Sequence, residues 1–395
     1  MPRRHTTVRH KSVAHNKAAH SSLKRLFRPA IIIVVVSLIT LGLEEAGWLR
    51  GFETAALDTW LRLKAPLPVN ELIIVGITND DYRDLFDDTS PLKPEKLDLL
   101  LDAIARGGPK VIGVDIDTSS RKFWELQPRE KPPVVWAVDA ILQTEGKLEA
   151  SAALGGKLSP GKGTGIAALP QDSDGVVRSY RRVFATAPEP VPSFPWAVVT
   201  QYREVEGHPA AAADEHDTED VILNFSGYRY SFSSLSAKQV LELSDGEGWS
   251  NNGPLGGRIV LLGGRYRAAR DEYVTPLGPM AGVDLMAQAI ASELRGGGIG
   301  HANKLLMLLL EIIGGACLVF LNRSFSLGWA VLLSCVGVPV LALAGSFFAF
   351  SSLAYWANFV PILVSVLIHE LYERAREHWR MYEALKGLGK LEEQH

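Results

Sequence analysis

ELIIVGIT (71–78), KPEKLDLLLDAIARGG (93–108) and KVIGVDI (110–116) follow one another in the first third of the chain. The first and third phrases are short, continuous apolar runs rich in Ile and Val, the pattern of strands buried on both faces. The middle phrase sets leucines and alanine at helical spacing, with Pro94 in its first turn and Gly107 as a stop. Strand, helix and strand joined by short links make a βαβ unit, whose crossover obliges the two strands to run parallel. The fold class that follows is α/β with a mostly parallel central sheet.

Working outward, further strands are expected at PVVWAVDA (133–140), GIAAL (165–169), VVRSYRRVFA (176–185), VILNFSG (221–227) and RIVLLGG (258–264). Helices are expected at SFPWAVVTQYREVEG (193–207) and GVDLMAQAIASELRG (282–296), while GGKLSPGKGTG (155–165) and PAAAADEHDTED (209–220) read as irregular. The sequence has no internal repeat.

The 395 residues are 47% hydrophobic with a net charge of -3, and the apolar excess is concentrated outside this domain. Four runs, 29–43, 303–321, 325–350 and 353–371, are expected to be transmembrane helices. The first is short but can be lengthened at both ends, with Arg25 and Arg28 snorkelling. No A-x-A-like site follows Leu43, so an uncleaved signal anchor is favoured over a cleaved signal peptide. Residues 1–28 carry eight Lys or Arg and no Asp or Glu, which assigns this basic tail to the cytoplasm. Arg323, Arg374, Arg376 and Arg380 agree with that topology: both termini cytoplasmic, 44–302 outside, and 372–395 a cytoplasmic amphipathic tail. The two cysteines, Cys317 and Cys335, lie in apolar runs, so the outer domain must stand on its own core.

Tests for chemistry return little. GKLSPGKG (156–163) approaches the P-loop pattern but has Gly163 where a Ser or Thr should bind Mg²⁺, and no apolar strand leads into it. The stretch GGRYRAARDEYVTPLG (263–278) follows a strand and gathers Arg265, Arg267 and Arg270 beside Asp271, yet lacks G-x-G-x-x-G. These four are the candidate ligand-binding residues, because loops on a rigid scaffold tend to carry recognition. Acidic pairs recur at Asp80 and Asp81, Asp115 and Asp117, and Asp172 and Asp174; the last belongs to DSDG, read as a turn in which Gly175 supplies positive φ. A calcium loop there would need Glu at its twelfth position, where Val183 stands. His5, His10, His15 and His20 recur every five residues, a spacing that spreads them around a helix. No catalytic residue, metal, cofactor or nucleic-acid partner is expected.

Taken in order, several phrases resemble the type-two CHASE family of extracytoplasmic sensor domains found with bacterial cyclases and histidine kinases. They are ALDTWLRLKAP (56–66), IIVGIT (73–78), GPKVIGVDIDTSS (108–120), LPQDSDGVVRSYRR (169–182) and GRIVLLGGRYRAARDEYVTPLGPMAGVDLMAQAIASELRG (257–296). The resemblance covers roughly residues 50–300 and implies structural roles for Asp58, Arg62, Asp115, Asp172, Asp174, Gly175, Thr275, Pro276 and Gly282. It also implies that 263–278 shapes the sensor and links it to the second span, with Thr275 and Pro276 ordering the loop and Asp271 accepting backbone hydrogen bonds. Family members commonly continue into an output enzyme, whereas this sequence ends at His395.

The expected function is a bacterial inner-membrane sensory protein that binds an unidentified envelope signal and passes it across the bilayer to a separate cytoplasmic partner. Tyr372, Trp379 and Tyr382, with Ala375, form one helical stripe that would dock this partner or a second copy in a homodimer. The alternative is a structural membrane-anchored scaffold or subunit of an envelope complex. A third class, an extracytoplasmic hydrolase, would rest on Asp115, Asp172 or Asp271.

Overall fold

The computed structural model describes residues 30–392 except 143–147, 162, 188, 209–217, 228–231, 247 and 250–252. The basic tail 1–28 and its four histidines lie outside the described residues, as does most of the acidic stretch 214–220. Two compact units emerge, Thr59–Gly300 and a helical unit formed by Met1–Asp58 with His301–His395.

In the first unit the βαβ reading holds. Strand β1 (Leu72–Ile77) is followed by α3 (Asn79–Phe86), α4 (Pro94–Arg106) and β2 (Val111–Asp115); α1 and α2 belong to the segment before β1 and are described below. Next come β3 (Val134–Val138), β4 (Thr164–Ile166), β5 (Ser179–Arg181), α5 (Phe194–Val205), β6 (Asp220–Ile222), β7 (Ser233–Ser236), α6 (Ala237–Ser244) and β8 (Ile259–Gly264). The hairpin β9 (Glu272–Thr275) and β10 (Gly278–Ala281) leads into α7 (Gly282–Leu294).

Six strands form one sheet in the order β7-β1-β8-β2-β3-β4, and every pairing in it is parallel. Alternate residues of β1 go to opposite faces. Ile73, Val75 and Ile77 pack with Phe86, Leu100, Leu101 and Ile104 of α3 and α4. Leu72 and Ile74 pack with Phe194 and Val198 of α5 and Met286 and Ile290 of α7. Both faces are therefore covered, which is why the strands read as unbroken apolar runs.

Two expected strands do not join this sheet. VVRSYRRVFA and VILNFSG contribute β5 and β6, which pair with each other antiparallel through Tyr180 and Val221. The reason is side-chain chemistry: alternate residues Arg178, Tyr180 and Arg182 need acidic partners that a dry central sheet cannot supply. Arg178, its side chain 4% exposed, meets Asp172 at 2.7 Å and Asp174 at 2.8 Å. Arg182 Nε donates to the fully buried Glu293 of α7 at 2.7 Å, and Tyr180 Oη donates to the same carboxylate. The edge strand beside β1 is β7, SSLS, which pairs with it from Ser233 opposite Ile73.

The helical unit contains α1 (Ala30–Glu45), which bends by 83° into α2 (Arg50–Leu63), the latter continuing across the unit boundary. After the domain come α8 (Lys304–Ser324), α9 (Gly328–Ser352), interrupted by a π-type turn at Leu333–Gly337, and α10 (Val360–Glu392). Among the described residues two helices, α8 and α9, are long and apolar enough to cross a membrane, and α1 with α2 would make a third if counted as one bent span. The expected fourth span over 353–371 differs in kind. Ala354 takes a left-handed φ of 55° and the chain is non-helical up to Phe359, so the helix starts at Val360 and soon meets His369 and Glu370. Its apolar part is too short to qualify by length and composition alone.

Candidate functional site

Strands β1 and β8 are neighbours, with Ile77 opposite Gly264 at their carboxyl ends. Their continuations part: α3 and α4 pack on one face of the sheet and α7 on the other. Where connections from adjacent parallel strands leave to opposite faces, a crevice opens beyond the strand ends. A cleft of about 650 Å³ lies there, and Arg265, Arg267, Arg270 and Asp271 all line it. The structure thus brings the four candidate residues together around one opening, joined by Asn79, Tyr266 and Asp284, which the sequence reading did not select.

The four have different surroundings. Arg265 is committed: Nη2 lies 2.5 Å from Asp284 Oδ1 and Nε 3.2 Å from Oδ2. Asp284 sits in the first turn of α7, where a carboxylate suits the helix's positive end. Arg267 is pinned by its backbone, whose N–H donates to Asn79 Oδ1 at 2.9 Å, while its side chain is exposed. Tyr266 stacks on Tyr82 of α3 with centroids 4.2 Å apart, fixing the loop against the domain. Arg270 is exposed and left-handed, with φ of 54°, and turns the chain back toward the hairpin.

Asp271 differs from expectation in how it bonds. Its backbone oxygen, not its carboxylate, accepts the Gly282 N–H at 2.9 Å. Its carboxyl is raised by burial, while a hydrogen bond from Tyr273 opposes the rise and Asp139 adds to it. The carboxylate presses on the start of α7 so closely that a Cβ on Gly282 would stand 2.0 Å from Asp271 Oδ2. A side chain at 282 would oblige the Asp271 carboxylate to move.

Behind the cleft is an acidic group at the ends of β2 and β3. Burial, and then Asp271 and Asp139, push Asp115 up to about 8. Asp139 is raised by burial and by Asp117. Asp139 and Tyr273 were missed from sequence; the signal was there in VVWAVDA, because the residue after a buried parallel strand stands at the sheet's carboxyl edge. Among the described residues no group of three or more His, Cys, Asp or Glu is arranged to hold a metal.

The remaining family-motif residues do not line the cleft. Asp172 and Asp174 hold Arg178, and Gly175 turns between them with φ of 78°. Thr275 Oγ1 donates to the Gly278 carbonyl at 2.6 Å and accepts the Leu277 N–H at 3.2 Å, ordering the hairpin turn around Pro276. Arg62 Nε donates to the Pro276 carbonyl at 2.8 Å, so ALDTWLRLKAP and the hairpin are in contact; Asp58 stands one helical turn before Arg62. Of Asp115, Asp172 and Asp271, Asp271 lines the cleft and the other two do not. On α10, Tyr372, Trp379 and Tyr382 are exposed, the last two with ring centroids 6.3 Å apart.

A family profile described as CHASE2 domain matches residues 31–321. No curated protein and no solved structure matches the chain.

Proposed function

The chain belongs to the CHASE2 domain family, an extracytoplasmic sensor type, and from this premise we propose that it is a bacterial inner-membrane sensory protein whose ligand enters the cleft between β1 and β8. The observation that carries the reading is the cleft itself: the exposed Arg267 and Arg270 stand over the start of α7, and α7 leads within ten residues into the apolar helix α8. A ligand that draws the arginines toward α7 acts on the segment that continues into the bilayer.

The arrangement proposed is four spans with both termini cytoplasmic, the fourth being the apolar start of α10, its shortness offset by the non-helical chain leading into it. The signal passes to a separate cytoplasmic partner that docks on Tyr372, Trp379 and Tyr382, in a chain that acts as a homodimer.

The test uses the full-length protein in detergent, screened by thermal shift against fractions of an envelope extract. A fraction that raises Tm for the wild type and fails to do so for the Arg267→Ala/Arg270→Ala variant supports the reading. If stabilising fractions act equally on both proteins, the cleft is not the site. A crosslink and pulldown from native membranes, with and without residues 369–395, then reports on output. A cytoplasmic regulator lost on truncation supports signalling; envelope partners alone, unchanged by truncation, favour the scaffold.

A further inference from the structure

Helix α8 buries three residues, Glu311, Gly315 and Leu318, which fall on one stripe at i, i+4 and i+7. Gly315 marks the close approach of α1, since a Cβ there would stand 2.9 Å from Ile33 Cγ2. Toward the start of α8, Lys304 Nζ meets Glu45 Oε1 at 2.8 Å. Positions 304 to 315 therefore run against 45 to 33, and the two helices are antiparallel. One turn back from Gly315 on α8 is Glu311; the matching step on α1, one turn on from Ile33, is Ser37.

Both side chains are buried, Glu311 at 6% and Ser37 at 3% exposure. Among the described residues neither Glu311 Oε1 nor Ser37 Oγ has a hydrogen-bond partner. Two orphaned polar atoms in facing registers are an improbable accident, because each alone carries a desolvation penalty. Thr40, fully buried on the same face of α1, donates its hydroxyl to the Val36 carbonyl at 3.0 Å and keeps its lone pairs as acceptors.

The charged neighbours do not offer Glu311 a counter-ion. Glu44 on α1 is of like sign, and Lys304 is held by Glu45. Glu53 of α2 accepts from Asn358 at 2.8 Å. Helix α9 has no ionisable side chain besides Cys335, and on α10 Glu370 accepts from Asn322 of α8 well past Gly315, with His369 beside it. An ionised carboxylate so placed would be buried without compensation, whereas a neutral acid can give its proton to an oxygen across the helix pair. Ionisable residues inside apolar helices are rare and tend to be functional.

We propose that Glu311 is a proton-binding site inside the membrane unit, its carboxylic O–H donating to Ser37 Oγ, with Thr40 Oγ1 as a further acceptor on the same face. The site joins α1 and α8, the helices that precede and follow the sensor domain in the chain, and it does not depend on what the cleft binds.

The test uses the full-length protein in lipid nanodiscs. Dicyclohexylcarbodiimide, an apolar reagent, attacks protonated carboxyls and leaves an N-acylurea that peptide mass spectrometry locates. At neutral pH the adduct at Glu311 is expected to exceed that at the exposed Glu377 by about tenfold or more, because the apolar reagent concentrates where the buried acid stands. A water-soluble carbodiimide with glycine ethyl ester should reverse the order. Glu311 left unmodified, or ranked below Glu377 by the apolar reagent, overturns the proposal. Ser37→Ala keeps the carboxyl and removes its acceptor, so the rate of adduct formation at Glu311 should change several-fold; an unchanged rate overturns the pairing with Ser37. The wild-type measurement stands even if a variant fails to fold.

Discussion

Asp115 shows how a single side chain can set a pH dependence. Its folded carboxyl holds a proton up to about 8, whereas an unfolded aspartate releases it near about 4. A folded state that binds more protons than the unfolded one loses stability as pH rises between those two values. Asp115→Asn should therefore stabilise the domain at pH 8, by up to about 5 kcal/mol, and have little effect at pH 4, as read by urea unfolding at both pH values. Glu293 is the opposite case, a fully buried carboxylate satisfied by Arg182 and Tyr180. Its truncation to Ala should cost ~3–5 kcal/mol, since the partners are left unpaired, and a thermal melt measures it. In the sequence Arg178 and Arg182 fall in an expected strand with no sign of their partners; that of Arg182, Glu293, lies 111 residues further on. Asp81 reads there only as half of an acidic pair with Asp80. In fact Asp81 closes a capping box with Thr78, and its other oxygen accepts the Lys238 N–H at 3.1 Å. A cap is legible only once the helix it starts has been recognised, and α3 spans just eight residues.

At the scale of elements, legibility followed apolar length. β1, β2, β3, β8, α4, α5 and α7 were readable because each buries a long face in one of the two cores. β7 and α6 were not, because SSLS has no apolar pattern and becomes a strand only by pairing with β1. The joint between the β9–β10 hairpin and α7 offers a sharper test. Gly282→Ala forces Asp271 away from the start of α7, since the new Cβ would overlap Oδ2 at 2.0 Å. The expected cost is about 2 kcal/mol alone. In an Asp271→Ala background the same substitution should cost almost nothing, and a double-mutant cycle in urea measures the coupling. At the hairpin itself, Thr275→Val removes the hydroxyl that both donates to Gly278 and accepts from Leu277. That change should cost ~1–2 kcal/mol, visible in the same unfolding assay.

For the whole molecule, the apolar runs announced a membrane protein, but span number could not be read from composition alone. Pro361 and the left-handed Ala354 bracket a stretch that looks like part of a helix in one dimension and is extended in three. Cysteine accessibility decides the topology: in a Cys317→Ala/Cys335→Ala background, Ser159→Cys should react with an impermeant maleimide from outside. Glu377→Cys should react only after the membrane is opened. The order of strands has a further consequence, for synthesis. β1 and β2 do not touch; β8, made more than 140 residues after β2 ends, fills the place between them. Every early fragment therefore carries two unmatched strand edges at the heart of its sheet, so the domain is committed to late, high-contact-order closure. Nothing made before β8 can complete this sheet, so the centre of the domain is the part that forms last.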